Sequence, residues 1–387
     1  MSQDEGDSLG GRLGRYARVG TSVGGLAVKL AGQRYLGIGL DRDKHAGELK
    51  VALGGLKGPL MKAAQLLATI PDALPPEYAR ELSQLQANAP AMGWTFVRRR
   101  MATELGPDWQ AKFAHFEKEA SFAASLGQVH RAELKDGTKV AAKLQYPDMA
   151  SALEADLNQL KVVFAIGQRF DPAIRTDEIH AEITSRLREE LDYRREAKHV
   201  ALYRHMLRDE SQVHVAEVVP THSTDRLLTM GWLDGAPLLD WKTRSQEERD
   251  ALAIAMFRAW YVPFYHYGVI HGDPHLGNYS VRPDGSVNLM DFGCVRVFPP
   301  RFVRGSIELY RALMTDDEAR AVAAYEDWGF TGLSREMIQV LNRWAAFLYG
   351  PLMDDRSRRL TEGMAEGYGR EMAQNVFGEL RKMGGVR

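Results

Sequence analysis

The sequence predicts an α+β fold in three parts: an all-helical stretch, a small antiparallel sheet with inserted helices, and a mostly helical remainder. Three observations carry this. Apolar residues recur at helical spacing through residues 1–110. Strand formers then crowd residues 128–134 and 138–145 on either side of Asp136-Gly137, which is a hairpin signal. Beyond residue 235, long helical patterns flank a loop-rich centre with short strands only.

The chain opens on a glycine-rich basic stretch, with Arg12, Arg15, Arg18, Lys29 and Arg34 and no acid between Asp7 and Asp41. Such a pattern fits a helix on an anionic membrane surface or a solvated helix packed on its own domain. Pro59 suits the first turn of a helix over 58–70, and Pro71 stops it. Leu60, Ala63, Ala64 and Leu67 form its apolar face. Pro75 and Pro76 open a further helix to about Ala87, and another spans 94–105. After the hairpin come helices near 148–170 and 176–208 and strands over 213–219 and 226–233. Helices near 246–267 and 302–325 flank strands at 279–281 and 287–290.

Composition narrows the function. Hydrophobic residues make up 45% and charged residues 26%, enough for an ordinary core without metal or disulfide staples. Cys294 is the single cysteine, so no internal disulfide forms, in keeping with a reducing compartment. A net charge of −1 gives no signal for nucleic acid. The acidic N-terminus lacks the order of a signal peptide. No uncharged apolar run reaches the length of about 18 residues that suggests a membrane span. A cytoplasmic location follows as the expectation, with peripheral membrane attachment through residues 12–40 left open.

The motifs decide the chemistry. His271-Gly272-Asp273 begins a run ending at Asn278, and Asp291-Phe292-Gly293 follows after a turn and a strand. Phosphoryl transfer needs a carboxylate to orient the nucleophile and take its proton, and an amide and a second carboxylate to hold magnesium between the phosphates. Asp273, Asn278 and Asp291 supply these in the expected order. Val-Ala-Ala-Lys ends at Lys143 on the second hairpin strand, where a lysine can reach the α- and β-phosphates of ATP. Glu196, on the helix over 176–208, is the expected partner for that lysine. Alone, Lys143 reads as an edge-strand lysine that deters aggregation; the downstream motifs reverse this. Together they predict a bilobal protein-kinase-like fold behind an all-helical N-terminal extension. Its divisions are an extension over 1–110, an N-lobe with inserted helices over 111–234 and a C-lobe over 235–387.

Two features depart from ordinary protein kinases. In Phe122-Ala-Ala-Ser-Leu-Gly-Gln-Val129 only Gly127 and Val129 match the glycine-rich loop. Phe122 and Ala124 stand at glycine positions, and Cβ atoms there stiffen a phosphate loop. No Ala-Pro-Glu follows Asp291-Phe292-Gly293, so no platform for peptide substrates is announced.

These residues resemble the UbiB-like atypical kinases, which include the mitochondrial coenzyme Q kinases. The resemblance runs from about residue 50 to about 300. It rests on the alanine-rich loop at 123–130, on Lys62-Ala-Ala-Gln65 against Lys-x-Gly-Gln, on Glu190-Leu-Asp192 against Glu-x-Asp, and on the catalytic loop. Ala64 replaces a glycine and Leu276 a proline of the family pattern. The resemblance implies that Ala123, Ala124, Ser125 and Gly127 cradle ATP, that Lys143 pairs with Glu196, and that Asp273 is the catalytic carboxylate. Asn278 and Asp291 would hold Mg²⁺. Lys62 and Gln65 would reach into the site from the extension, with Lys62 near Glu190 or Asp192. Without the resemblance, Glu189, Glu190 and Asp192 read as a solvated face shared with Arg186, Arg188 and Arg194. The implied function is an ATPase or a small-molecule or lipid-linked phosphotransferase in ubiquinone or isoprenoid-lipid metabolism. Its partners would be an isoprenoid lipid or quinone precursor and a peripheral membrane surface. Two other readings stay open: a non-catalytic nucleotide-binding regulator, and a phosphotransferase of the aminoglycoside or choline kinase type.

Overall fold

A computed structural model describes residues 91–356, apart from 124–125, 148, 152, 155–156, 159–175 and 274. The helices expected over 58–70 and 75–87, and the basic stretch over 12–40, lie outside the described residues. The class is α+β, as expected.

Helix α1 (Trp94–Leu105) ends at Gly106, whose φ of 94° a side chain would disfavour. The strands β1 (Phe113–Phe116), β2 (Phe122–Ala123), β3 (Gly127–Leu134) and β4 (Lys139–Gln145) follow. Helices α2 (Thr176–Glu190) and α3 (Tyr193–Met206) come next, then β5 (Val213–Val215), β6 (Leu227–Gly231) and β7 (Ala236–Pro237). Helix α4 (Gln246–Tyr267) leads to β8 (Val269–His271), β9 (Tyr279–Val281), β10 (Val287–Leu289) and β11 (Val295–Val297). The described chain closes with α5 (Pro300–Thr315), α6 (Glu318–Trp328) and α7 (Arg335–Tyr349).

The chain divides into two compact units. The first holds the described residues up to Ala255 together with Asp273–Cys294; the second holds Met256–Gly272 and the described residues from Val295.

In the first unit β1, β3, β4 and β6 form an antiparallel sheet in that order, with β2 also on β3. The β3–β4 turn follows from Asp136-Gly137. Gly137 takes a φ of 84°, and the Asp136 carboxylate accepts from the Thr138 N–H at 2.9 Å. Side chains alternate across a strand, so Val140, Ala142 and Leu144 enter a core with Val97, Met101, Trp109 and Phe113. Lys143 therefore faces the other way. A smaller sheet runs β5-β10-β9-β7, with β5 parallel to β10. Asp284-Gly285 makes the β9–β10 turn: Gly285 sits at φ 85° and Asp284 accepts from the Ser286 N–H and hydroxyl at 3.0 and 2.6 Å.

In the second unit β8 and β11 pair antiparallel. Helices α5, α6 and α7 bury Leu309, Ala312, Ala321, Ala324, Tyr325, Leu341 and Ala345 between them. Gly305 permits the close approach of α5 to α6, since a Cβ there would lie 2.9 Å from the Ala324 carbonyl oxygen.

Two expected helices are each broken in two. The helix over 176–208 stops at Glu190 and restarts at Tyr193, because the Asp192 carboxylate caps the second piece by accepting from the Arg195 N–H at 2.9 Å. The helix over 302–325 breaks at Asp316, which adopts a left-handed conformation, and Asp317 caps the restart. Among the described residues, no helix is long and apolar enough to cross a membrane.

Candidate active site

The site is built within the first unit, from β4, α3 and the turn after β10. Strand pairing sets Lys143 between Val129 of β3 and Leu228 of β6. From that central position its ammonium reaches Glu196 Oε1 at 2.7 Å and Asp291 Oδ1 at 3.5 Å. Glu196 stands in the first turn of α3, with its side chain 1% exposed against 15% for Lys143. Burial works against the Lys143 charge, but Asp291 and then Glu196 hold its pKa well above the ordinary lysine value. Burial also raises the Glu196 carboxyl, and the Lys143 ammonium opposes that rise. The short contact and its hydrogen bond support the ionised pair.

Asp291 adopts φ 55°, unusual for a residue other than glycine and tolerated best by Asp and Asn. Its Oδ1 accepts from the Gly293 N–H at 3.1 Å. A Cβ on Gly293 would lie 3.3 Å from Asp291 Oδ1 and 3.7 Å from Glu190 Cγ, so Glu190 adjoins the Asp-Phe-Gly turn. Phe292 is buried, with the Tyr203 ring 4.9 Å away between centroids. The His199 Nδ1–H donates to the Phe292 carbonyl at 3.0 Å. Helix α3 thus fixes the turn by two contacts, one and two helical turns beyond Glu196.

The loop before β9 sets the remaining groups. The Asn278 side-chain nitrogen donates to the Asp273 carbonyl oxygen at 2.9 Å, which directs its amide oxygen elsewhere. The Met290 N–H donates to the Asn278 carbonyl at 2.9 Å, so Asn278 and Asp291 meet at one end of the β9–β10 hairpin. An amide oxygen and a carboxylate are the hard donors that Mg²⁺ takes. Asp273 is half-buried beside this loop.

Gly127 begins β3 opposite Gln145 of β4, and Ala123 pairs opposite Gln128. Asp192 caps α3. The charged run on α2 divides: Glu189 goes to ion pairs with Arg186 at 2.7 Å and Arg195 at 3.0 Å, and Glu190 goes to the Asp-Phe-Gly turn. Arg188 and Arg194 pair with Glu154 and Asp225. Lys62, Gln65, Ala124 and Ser125 lie outside the described residues.

Four residues near the site were not singled out from the sequence. Tyr193 places its ring centroid 5.4 Å from the Lys143 ammonium, and His199 holds Phe292. Gln128 accepts from the Met92 N–H at 2.7 Å and donates to the Met92 carbonyl at 3.1 Å and to His130 Nε2 at 2.9 Å. His130 then donates from Nδ1 to the Glu117 carbonyl at 2.9 Å. Gln128 and His130 lie within the alanine-rich motif over 123–130 and Tyr193 follows Asp192 directly, whereas His199 carries no such signal.

A lysine–glutamate pair on a sheet and helix, joined by an Asp-Phe-Gly aspartate and followed across a hairpin by the Asp273–Asn278 loop, defines a kinase-like class of site. Residues 84–325 match the ABC1 atypical kinase-like domain, and the chain belongs to that family. Atypical kinase COQ8, mitochondrial, of Saccharomyces cerevisiae is 31% identical over 70% of this chain and 54% of its own. Atypical kinase COQ8B, mitochondrial, of Rattus norvegicus is 29% identical over 74% of this chain and 55% of its own. The chain therefore spans about half the length of these relatives. Among solved structures, the complex of Rv3197 with erythromycin from Mycobacterium tuberculosis is similar. It is 28% identical with a TM-score of 0.54, over 89% of this chain and 93% of that one. The family expected from the motifs is the one found.

Proposed function

We propose that the chain is an ATP-binding enzyme of the atypical kinase type, acting as an ATPase or as a phosphotransferase to a small or lipid-linked acceptor. The observation that carries this is Lys143 held between Glu196 and Asp291. A binding module has use for the lysine; the aspartates of both motifs belong to phosphoryl transfer. Lys143 binds the α- and β-phosphates, and Glu196 keeps its ammonium in place. Asp273 orients a water or an acceptor hydroxyl and takes its proton as the new bond to the γ-phosphorus forms. The bond from that phosphorus to the β–γ bridging oxygen breaks, and ADP leaves. Asn278 and Asp291 are the residues that would hold Mg²⁺, which neutralises phosphate charge when bound. Gly127 and Ala123 line the loop over the nucleotide, while Glu190 and Asp192 are assigned to the same site, with Lys62 and Gln65 reaching it from the extension.

The relatives are mitochondrial atypical kinases by name. Their family supports an acceptor or cargo among isoprenoid lipids or quinone precursors, taken from a membrane surface that the chain meets peripherally. Phosphate release from Mg·ATP by the wild type and Asp273→Asn, with and without anionic liposomes, tests the reading. Asp273-dependent release that rises with liposomes supports it. Nucleotide binding with no Asp273-dependent release moves the assignment to a nucleotide-binding regulator.

A further inference from the structure

We propose that the Tyr193 hydroxyl is a hydrogen-bond donor to the phosphate groups of the bound nucleotide, working beside Lys143. The proposal rests on the nucleotide-binding reading above and adds a residue that neither the motifs nor the kinase template assigns.

Tyr193 opens α3 and precedes Glu196 by three residues, so both present to one side of the helix. That side meets β4. The Tyr193 ring lies against the Lys143 ammonium, 5.4 Å from centroid to nitrogen. Its far end reaches the backbone of β3: a Cβ built on Gly127 would be 2.9 Å from the Tyr193 hydroxyl oxygen. Gly127 is the loop glycine retained from the kinase pattern. The hydroxyl therefore stands between the phosphate lysine and the phosphate loop.

The residue is 2% exposed, and its hydroxyl has no hydrogen-bond partner among the described residues. Leaving a buried polar group unsatisfied costs about 1–3 kcal/mol, and phenylalanine would fill the same volume without that cost. A hydroxyl retained there has a use outside the unliganded protein. Burial pushes the phenol pKa well up, so the group keeps its proton and can only offer a donor to an anion. An O–H donor and an ammonium on one side of a glycine backbone are the chemistry of a phosphate site. A donor from Tyr193 does not depend on the backbone freedom that alanines deny the loop sequence.

The test compares wild type with Tyr193→Phe in three arms: a non-hydrolysable ATP analogue with Mg²⁺, adenosine, and inorganic phosphate. Calorimetry reads affinity, and thermal melting without ligand reads stability. A hydrogen bond to a charged group contributes about 1.5–3 kcal/mol, so the variant should bind the ATP analogue at least about tenfold more weakly. Adenosine affinity should be unchanged, and the unliganded melting temperature equal or higher. Any phosphate binding should weaken in the variant as well. Equal losses for adenosine and the ATP analogue would overturn the proposal, because the hydroxyl would then shape the pocket rather than meet phosphate. A lower melting temperature with unchanged nucleotide affinity would also overturn it, because the hydroxyl would then have a partner in the fold, such as a buried water. Wild type that binds the analogue while Tyr193→Phe binds it equally well removes this inference alone. Wild type that binds no nucleotide removes it together with the reading on which it rests.

Discussion

Gly127 and Leu144 approach so closely that a Cβ on residue 127 would lie 2.4 Å from the Leu144 carbonyl oxygen. The clash is with backbone, at the end of a paired ladder, and cannot be relieved by rotating a side chain. Gly127→Ala should therefore destabilise the protein by about 1–3 kcal/mol, the range for overpacking a filled core. Urea unfolding of the two chains checks this. An unchanged midpoint would show that β3 and β4 can separate at low cost.

Removing Lys143 should be harmful beyond the loss of ligand contact. Lys143→Met leaves the Glu196 carboxylate, whose side chain is 1% exposed, without its ammonium. Breaking a buried pair in this way costs on the order of 3–5 kcal/mol. Lys143→Met with Glu196→Leu should recover part of that loss, since no charge is then stranded at the helix. Unfolding midpoints for the single and double variants measure it, and no recovery would mean that Glu196 has other partners as strong as Lys143.

Asp291 separates backbone conformation from chemistry. Its φ of 55° suits Asn as well as Asp, so Asp291→Asn should keep the turn, lose only the stability of its ion pair with Lys143, and lose phosphate release. Asp291→Ala should lose release and also about 1 kcal/mol or more of stability, because alanine resists that conformation. Equal melting temperatures for the two variants would contradict this.

His130 gives the protein a pH dependence. Burial lowers its pKa, with the Glu117 backbone working the other way. Its Nε2 accepts from Gln128, so a proton there would face a donor. The unfolded chain thus binds the proton more readily, near an ordinary value of about 6.5. Stability is complete above that value and falls as pH drops from it toward the lowered folded pKa. Unfolding midpoints between pH 7.5 and 5.5 should decline, and His130→Gln should flatten the decline. Burial lowers His199 and His214 too, so a shallower slope should remain. An identical slope in the variant would assign the effect to other groups.

Several features were legible because they are local. Asp136-Gly137 announces its hairpin through glycine's tolerance of positive φ, and α1 matches its expected span of Trp94–Leu105. The order Lys143, Asp273, Asn278, Asp291 matches the order that phosphoryl transfer by kinases requires, so spacing alone exposes it. The breaks at Asp192 and Asp316 were hidden because a capping aspartate reads like any charged residue inside a helical pattern. Strands β1, β8 and β11 are short, and their pairing is decided by partners distant in sequence. Tyr193 was missed for the same reason: its value comes from Lys143 and Gly127, which reach it only through the sheet.

The first compact unit takes up the chain again at Asp273, after Met256–Gly272 have gone to the second. On the ribosome this imposes a sequence of events. Lys143 and Glu196 emerge before that returning segment is made. Asp273, Asn278 and Asp291 lie in the last segment of that unit to be synthesised, and β5 must wait for β10 before its parallel ladder exists. A nascent chain halted before residue 273 would carry Lys143 and Glu196 but none of Asp273, Asn278 and Asp291, so on the proposed reading it could attract phosphate without being able to transfer it.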